Sequence, residues 1–294
     1  MDAGVNKEII VNNTPRIEAA SMVVASPKHP DYTADRAVAK AIVGGKSGLI
    51  AAIDGVGNGG RQSALAAEVV QRNLARLGES FVDTPKINQA VVELKNSIFA
   101  ASQEIKQLKR SAGNPDMDTT VSAAIICESL DKTRKFLVTA NVGDSRVYKF
   151  TPSTGQIAQV TKDQSLVQAL VDAGIISPDD AFTHPQRNII LKSVGDLHAP
   201  KDIDFAVTEL HDGELVLALS DGISDNITPT GLPAAARAEF QAAFDGKKPD
   251  LKKFATGLTQ RAQSIMGQQG VAWAKPDDAT VAVLRIPRPT TPAK

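Results

Sequence analysis

The chain has one cysteine, one tryptophan and two tyrosines in 294 residues, and no charge excess of either sign. A single thiol excludes a disulfide framework and a cysteine-based zinc site, which fits a reducing compartment. Within the apolar run VSAAIIC, Cys127 reads as a small buried hydrophobe. Lys and Arg number 33 and Asp and Glu number 33, so the formal net charge is zero. A phosphate backbone needs a basic stripe, and none is present, so nucleic acid is excluded as the primary ligand. No apolar run reaches the ~18–20 residues of a membrane span, and residues 1–15 lack the charged-then-apolar layout of a secretory leader. A cytoplasmic monomer without membrane contact is expected.

What is present is 42% hydrophobic sequence, enough to bury a core. No repeat, low-complexity block or linker divides it, so one domain is expected over 19–287. An N-terminal tail (1–18) precedes it and a Pro-rich tail, PRPTTPAK at the chain's end, follows from 288. Short apolar runs predict strands at 37–43, 48–53, 120–127, 135–142, 145–150, 214–220 and 279–286. Helical spacing predicts long helices at 61–76 (Ala64, Ala67, Val70, Leu74) and 87–110 (Ile87, Val91, Leu94, Ile98, Ile105). Further helices are expected at 164–174, 232–243 and 251–267. The order is not βαβ alternation, so an α+β architecture of mainly antiparallel sheets flanked by helices is predicted.

With the strands placed, the acidic residues fall into a pattern. Asp54, Asp144 and Asp221 follow strands, whereas Asp35 and Asp277 precede them. Any one Asp at a strand end reads as a turn residue. Five of them suggest convergence, and converged carboxylates repel and resist desolvation unless a cation balances them. Oxygen donors without His or Cys select Mg²⁺ or Mn²⁺ before Zn²⁺. In AAIDGVGNGG (51–60) the glycines after Asp54 would let backbone approach such ions and offer a carbonyl.

These motifs, in this order, resemble the metal-dependent Ser/Thr protein phosphatases of type 2C (the PPM family). The matching segments are TADR (33–36), DGVGNGG (54–60), DTT (118–120), NVGDSR (141–146), TKDQS (161–165), SDG (220–222) and DDAT (277–280). The segment AGIISPDDAFTHPQRNIILKSVG (173–195), within a flap at about 163–200, resembles the bacterial branch. The resemblance implies a four-layer α/β/β/α sandwich with two central antiparallel sheets. It implies hydrolysis of phosphoserine and phosphothreonine by water activated at a binuclear Mn²⁺ or Mg²⁺ centre. Asp54 would bridge the two ions, Gly55 would offer its carbonyl to one, and Asp221 and Asp277 would complete the other. Asp35 would act through metal-bound water, and Asp144 would help hold a weaker third ion. Asp35, Asp54 and Asp221 are thus the catalytic candidates, phosphoproteins the substrates, and a cognate Ser/Thr kinase the opposing partner.

Several positions depart from that pattern. Ala34 stands where an acidic residue usually precedes Asp35, and Val56 where many eukaryotic members carry a histidine. The Arg that grips phosphate is missing from SPKHPDY, leaving Lys28 and His29 as cations there, with His184 as a third substrate-binding candidate on the flap. Asn58 extends the glycine motif, and Gln164 replaces the flap-entry histidine. Arg146 is expected to make a structural ion pair and Trp273 to pack. Two alternatives stay open: a regulatory pseudophosphatase without turnover, and a hydrolase of small phosphoesters.

Overall fold

The computed structural model describes residues 16–57, 60–244, 246 and 248–287. Both expected tails fall largely outside the described residues, as does Asn58. In chain order the elements are β1 (Glu18–Val24), β2 (Arg36–Ile42), β3 (Ser47–Ile53), β4 (Gly55–Val56), α1 (Ser63–Leu77), α2 (Ile87–Ala112), β5 (Asp118–Thr119), β6 (Val121–Glu128), β7 (Lys135–Val142), β8 (Arg146–Thr151), β9 (Gln156–Gln159), α3 (Leu166–Asp172), α4 (Pro178–Thr183), β10 (Asp204–Leu210), β11 (Leu215–Leu219), α5 (Asp221–Ser224), α6 (Leu232–Ala242), α7 (Leu251–Met266) and β12 (Ala279–Arg285).

Two five-stranded sheets, ordered β1-β12-β11-β8-β9 and β10-β7-β6-β3-β2, pair antiparallel throughout. The central strands are apolar on both faces, as strands covered on both sides must be. In β3, Leu49, Ala51 and Ile53 meet the α1–α2 layer, while Ile50 and Ala52 meet the other sheet. In β11, Leu215, Leu217 and Leu219 meet α5, α6 and α7, while Val216 and Ala218 turn inward. Three apolar layers thus alternate with two sheets and two helical layers, the expected four-layer sandwich. Cys127 is buried on the helix side of β6, where burial pushes its thiol up to about 12, so it is inert.

Each main strand that the sequence does not announce is an edge. β1, β9 and β10 lie at sheet margins, and none has a run of fully buried positions. Ile17, just before β1, is buried between the sheets, and its N–H donates to the Gly45 carbonyl at 2.8 Å.

Candidate metal and active site

In an antiparallel pair, the end of one strand lies beside the start of its neighbour. Ile53 pairs with Arg36, Leu219 with both Val281 and Arg146, and Val142 with Val121. An aspartate that follows one strand therefore meets one that precedes the next. A cavity of about 810 Å³ opens at this common end, and Asp54, Gly55, Asp144, Asp221, Asp277 and Asp278 line it. Asp35 lies behind it, only 1% exposed.

Local bonds fix the segments that carry the carboxylates. The Asp54 carbonyl accepts from Thr120 N at 2.8 Å and Thr119 Oγ1 at 2.7 Å, which locks the end of β3. Thr280 Oγ1 donates to Asp35 Oδ2 at 2.8 Å. Gln164, standing in for the flap-entry histidine, accepts from Gly143 N at 3.0 Å and donates to Asp204 at 2.7 Å. It thereby ties the turn bearing Asp144 to β10. Asp278 accepts from Ser26 N at 2.7 Å and Ala34 N at 2.6 Å, so the loop that lost its acidic residue at 34 is held by a carboxylate from β12's leading turn.

The glycines serve close backbone packing. Gly57 has φ +94°, and a Cβ there would come 1.9 Å from the Asp116 carbonyl oxygen. A Cβ at Gly222 would lie 1.7 Å from that of Asp278, so the segment after β11 can press against the one before β12 only if residue 222 is glycine.

The electrostatics are those of crowded, buried carboxylates. Burial, then the charge of Asp278, pushes Asp35 up to about 8. Burial, then Asp35, Asp221, Asp277 and Asp144, holds Asp54 well above the carboxylate range. Burial and then Asp221 raise Asp144 likewise, and Asp277 is pushed up to about 6 by burial and Asp221 against the pull of Lys275. Asp221 is the exception: burial would raise it, but Lys275 overrides this and lowers it.

Lys275 was not foreseen from the sequence. Its ammonium is bonded to Asp221 Oδ2, and lies 2.9 Å from Asp277 Oδ2 and 3.6 Å from Asp225 Oδ2. Only the spacing to Asp277 hinted at it.

Two further candidates do not line the cavity. Lys28 is exposed, on a turn whose backbone N–H bonds Ser26 Oγ, and pairs with no carboxylate among the described residues. His184 caps α4, and its Nδ1 accepts from Gln186 N at 3.1 Å. His29 does line the cavity, its ring stacked on Tyr32 at 4.5 Å and its Nδ1 donating to the Tyr32 carbonyl. Arg146 makes a two-nitrogen pair with Asp163, its Nη2 at 2.6 Å. Trp273 packs beside Phe182 of α4, with ring centroids 6.3 Å apart.

The donor set suits hard divalent ions. The side chains that could ligate an ion there are carboxylates, with the Lys275 ammonium among them, and the buried Oδ1 atoms of Asp35 and Asp221 have no hydrogen-bond partner. Among the described residues, no three His, Cys, Asp or Glu side chains are placed close enough together to hold one metal ion. The Asp221–Asp277 pair is spaced around the ammonium of Lys275 instead.

No family model matches the chain. It is 33% identical over 182 residues, covering 61% of this chain and 69% of the other, to a putative protein phosphatase 2C-type of Streptococcus pyogenes. Its fold matches the serine/threonine phosphatase Stp1 of Staphylococcus aureus, with TM-score 0.74 and 27% identity over 93% of this chain and 96% of that one. It also matches the catalytic domain of the serine threonine protein phosphatase PstP in complex with 2 manganese ions, with TM-score 0.66 and 21% identity over 93% and 99% of the two chains. On sequence and fold together, the chain belongs to the 2C-type (PPM) family of metal-dependent Ser/Thr protein phosphatases, in its bacterial branch.

Proposed function

We propose that this chain hydrolyses phosphoserine and phosphothreonine in proteins at the cavity lined by Asp54. The observation that carries the reading is the convergence of carboxylates, Asp54, Asp144, Asp221 and Asp277 with Asp35 behind them, on one cavity of about 810 Å³. Asp54 and the Gly55 carbonyl would hold one Mn²⁺ or Mg²⁺, Asp54, Asp221 and Asp277 a second, and Asp144 a weaker third. Bound there, such ions lower the pKa of water and offset the charge of the phosphoryl oxygens. Phosphate-monoester hydrolysis is among the slowest uncatalysed reactions, so charge stabilisation of that size is needed.

The chain's own residues position and balance. Thr280 orients Asp35 towards its acidic neighbours. Hydrolysis forms a P–O bond from water and breaks the P–O bond to the seryl or threonyl oxygen, which then takes a proton. His29, held on Tyr32 at the cavity wall, is the side chain we assign to the substrate. Lys28 and His184, away from that wall, are given no role.

A second reading, a regulatory module without turnover, draws on one observation: an ammonium already lies between Asp221 and Asp277. Phosphate release from a phosphothreonine peptide, with Mn²⁺ or EDTA, separates the two. Under the phosphatase reading, Asp54→Asn and Asp221→Asn each lower turnover at least about a hundredfold while far-UV circular dichroism stays unchanged. Full activity in either variant refutes the site. No release, with Mn²⁺ still bound by calorimetry, selects the regulatory module.

A further inference from the structure

The loop between α7 and β12 carries a cation at the heart of the acidic cluster, and the loop is built to keep it there. Asn226, fully buried, grips the Lys275 backbone from both sides. Its side-chain oxygen accepts from Lys275 N at 2.9 Å, and its side-chain nitrogen donates to Lys275 O at 2.9 Å. The same nitrogen donates to Gly222 O at 2.9 Å, so one amide joins the Lys275 loop to the turn that bears Asp221. From this root the lysine side chain, 23% exposed, reaches Asp221, Asp277 and Asp225. It is not a loose surface chain resting on a convenient acid.

We propose that Lys275 is a tethered counter-ion that shares the position of the second divalent ion: its ammonium holds Asp221 and Asp277 together in the ion-free protein and must be displaced for that ion to bind. The inference rests on the assignment of Asp221 and Asp277 to the second ion made above. An ammonium hydrogen-bonded to Asp221 and 2.9 Å from Asp277 uses the same oxygens a divalent ion would take. Both cations cannot occupy them together. The displaced ammonium has an acceptor at hand, because Asp225 already lies 3.6 Å from it. Among the described residues, no ammonium or guanidinium is paired with the Gly55 carbonyl as Lys275 is with Asp221 and Asp277. The two positions therefore bind divalent ions with unequal affinity, and the inequality is written into this chain by one lysine.

The test is Mn²⁺ titration by calorimetry on the full chain, with no activity readout. Wild type is compared with Lys275→Met, Lys275→Gln and Lys275→Arg at one pH, with circular dichroism to verify folding. Expected are two unequal Mn²⁺ affinities in wild type and a gain of at least about tenfold in the weaker one in both Lys275→Met and Lys275→Gln, the scale on which residues around a metal's own ligands act. Lys275→Arg keeps a cation and keeps the weak position. In EDTA the Met and Gln variants melt below wild type, since the carboxylates lose their counter-ion. Unchanged or weakened Mn²⁺ binding in the Met and Gln variants overturns the inference while leaving the metal centre standing. No Mn²⁺ uptake by wild type or any variant overturns the centre and the inference together.

Discussion

Asp35→Asn reads the electrostatics of the site directly. Asp35 is 1% exposed, accepts one hydrogen bond from Thr280, and keeps its Oδ1 unpartnered. Burial and the charge of Asp278 push its carboxyl from 3.8 up to about 8. In the metal-free protein the native state thus holds a proton on Asp35 through neutral pH, whereas the unfolded chain releases it near pH 4. Where the unfolded state binds fewer protons, stability falls as pH rises. The contribution of this proton is complete below about pH 4 and is lost by about pH 8. At about 1.36 kcal/mol per pH unit, the interval from 3.8 to about 8 amounts to a loss on the order of 6 kcal/mol. Asparagine has the same size, offers Thr280 the same acceptor, and carries no charge. Urea unfolding in EDTA at pH 5, 6, 7 and 8 should show wild type losing stability relative to Asp35→Asn at each step, with the variant the more stable protein by several kcal/mol at pH 8. A difference that stays flat within about 1 kcal/mol across that range refutes the reasoning.

Three further outcomes follow from the same geometry. Saturating Mn²⁺ at about a hundred times its dissociation constant should stabilise the protein by about 2.7 kcal/mol per ion and raise its melting temperature by several degrees, with EDTA reversing the rise; no shift would contradict the metal centre. Gly222→Ala places a methyl group 1.7 Å from the Asp278 carbonyl oxygen, so it should cost about 3 kcal/mol or more by urea unfolding and lower activity as Asp221 and Asp277 move apart; wild-type stability would show that the two segments do not need their close approach. Gln164→Ala removes the bonds to Gly143 and Asp204 and should cost about 1–3 kcal/mol in urea, because the Gly143 N–H is left buried without its acceptor; no measurable loss would mean that the turn bearing Asp144 is held by other bonds.

The sequence by itself determined the central strands, the long helices and the aspartates that converge at the candidate site. Continuous apolar runs such as SGLIAAI and ELVLALS announce strands buried on both faces, and the 3.6-residue spacing of α1 and α2 announces helices buried on one. The five aspartates were legible because each adjoins a strand the sequence announces, four of them a central one and Asp35 the edge strand β2. The edge strands β1, β9 and β10 were not: each is held by its ladder to a neighbour, and none has a run of fully buried positions to read, whereas the fourth edge, β2, was announced by its apolar run. The tertiary structure alone decided which strand ends meet, and hence that Asp35, which precedes its strand, meets Asp54, which follows its own. It alone separated His29, on the cavity wall, from Lys28 and His184, which one-dimensional spacing could not tell apart. It also brought Lys275 between Asp221 and Asp277 and showed that Asp278 grips the loop at Ala34. Periodicity reports which side of an element is buried, whereas contact between residues 54 and 221, or 34 and 278, depends on the pairing and packing of elements distant in the chain, and no local pattern encodes that.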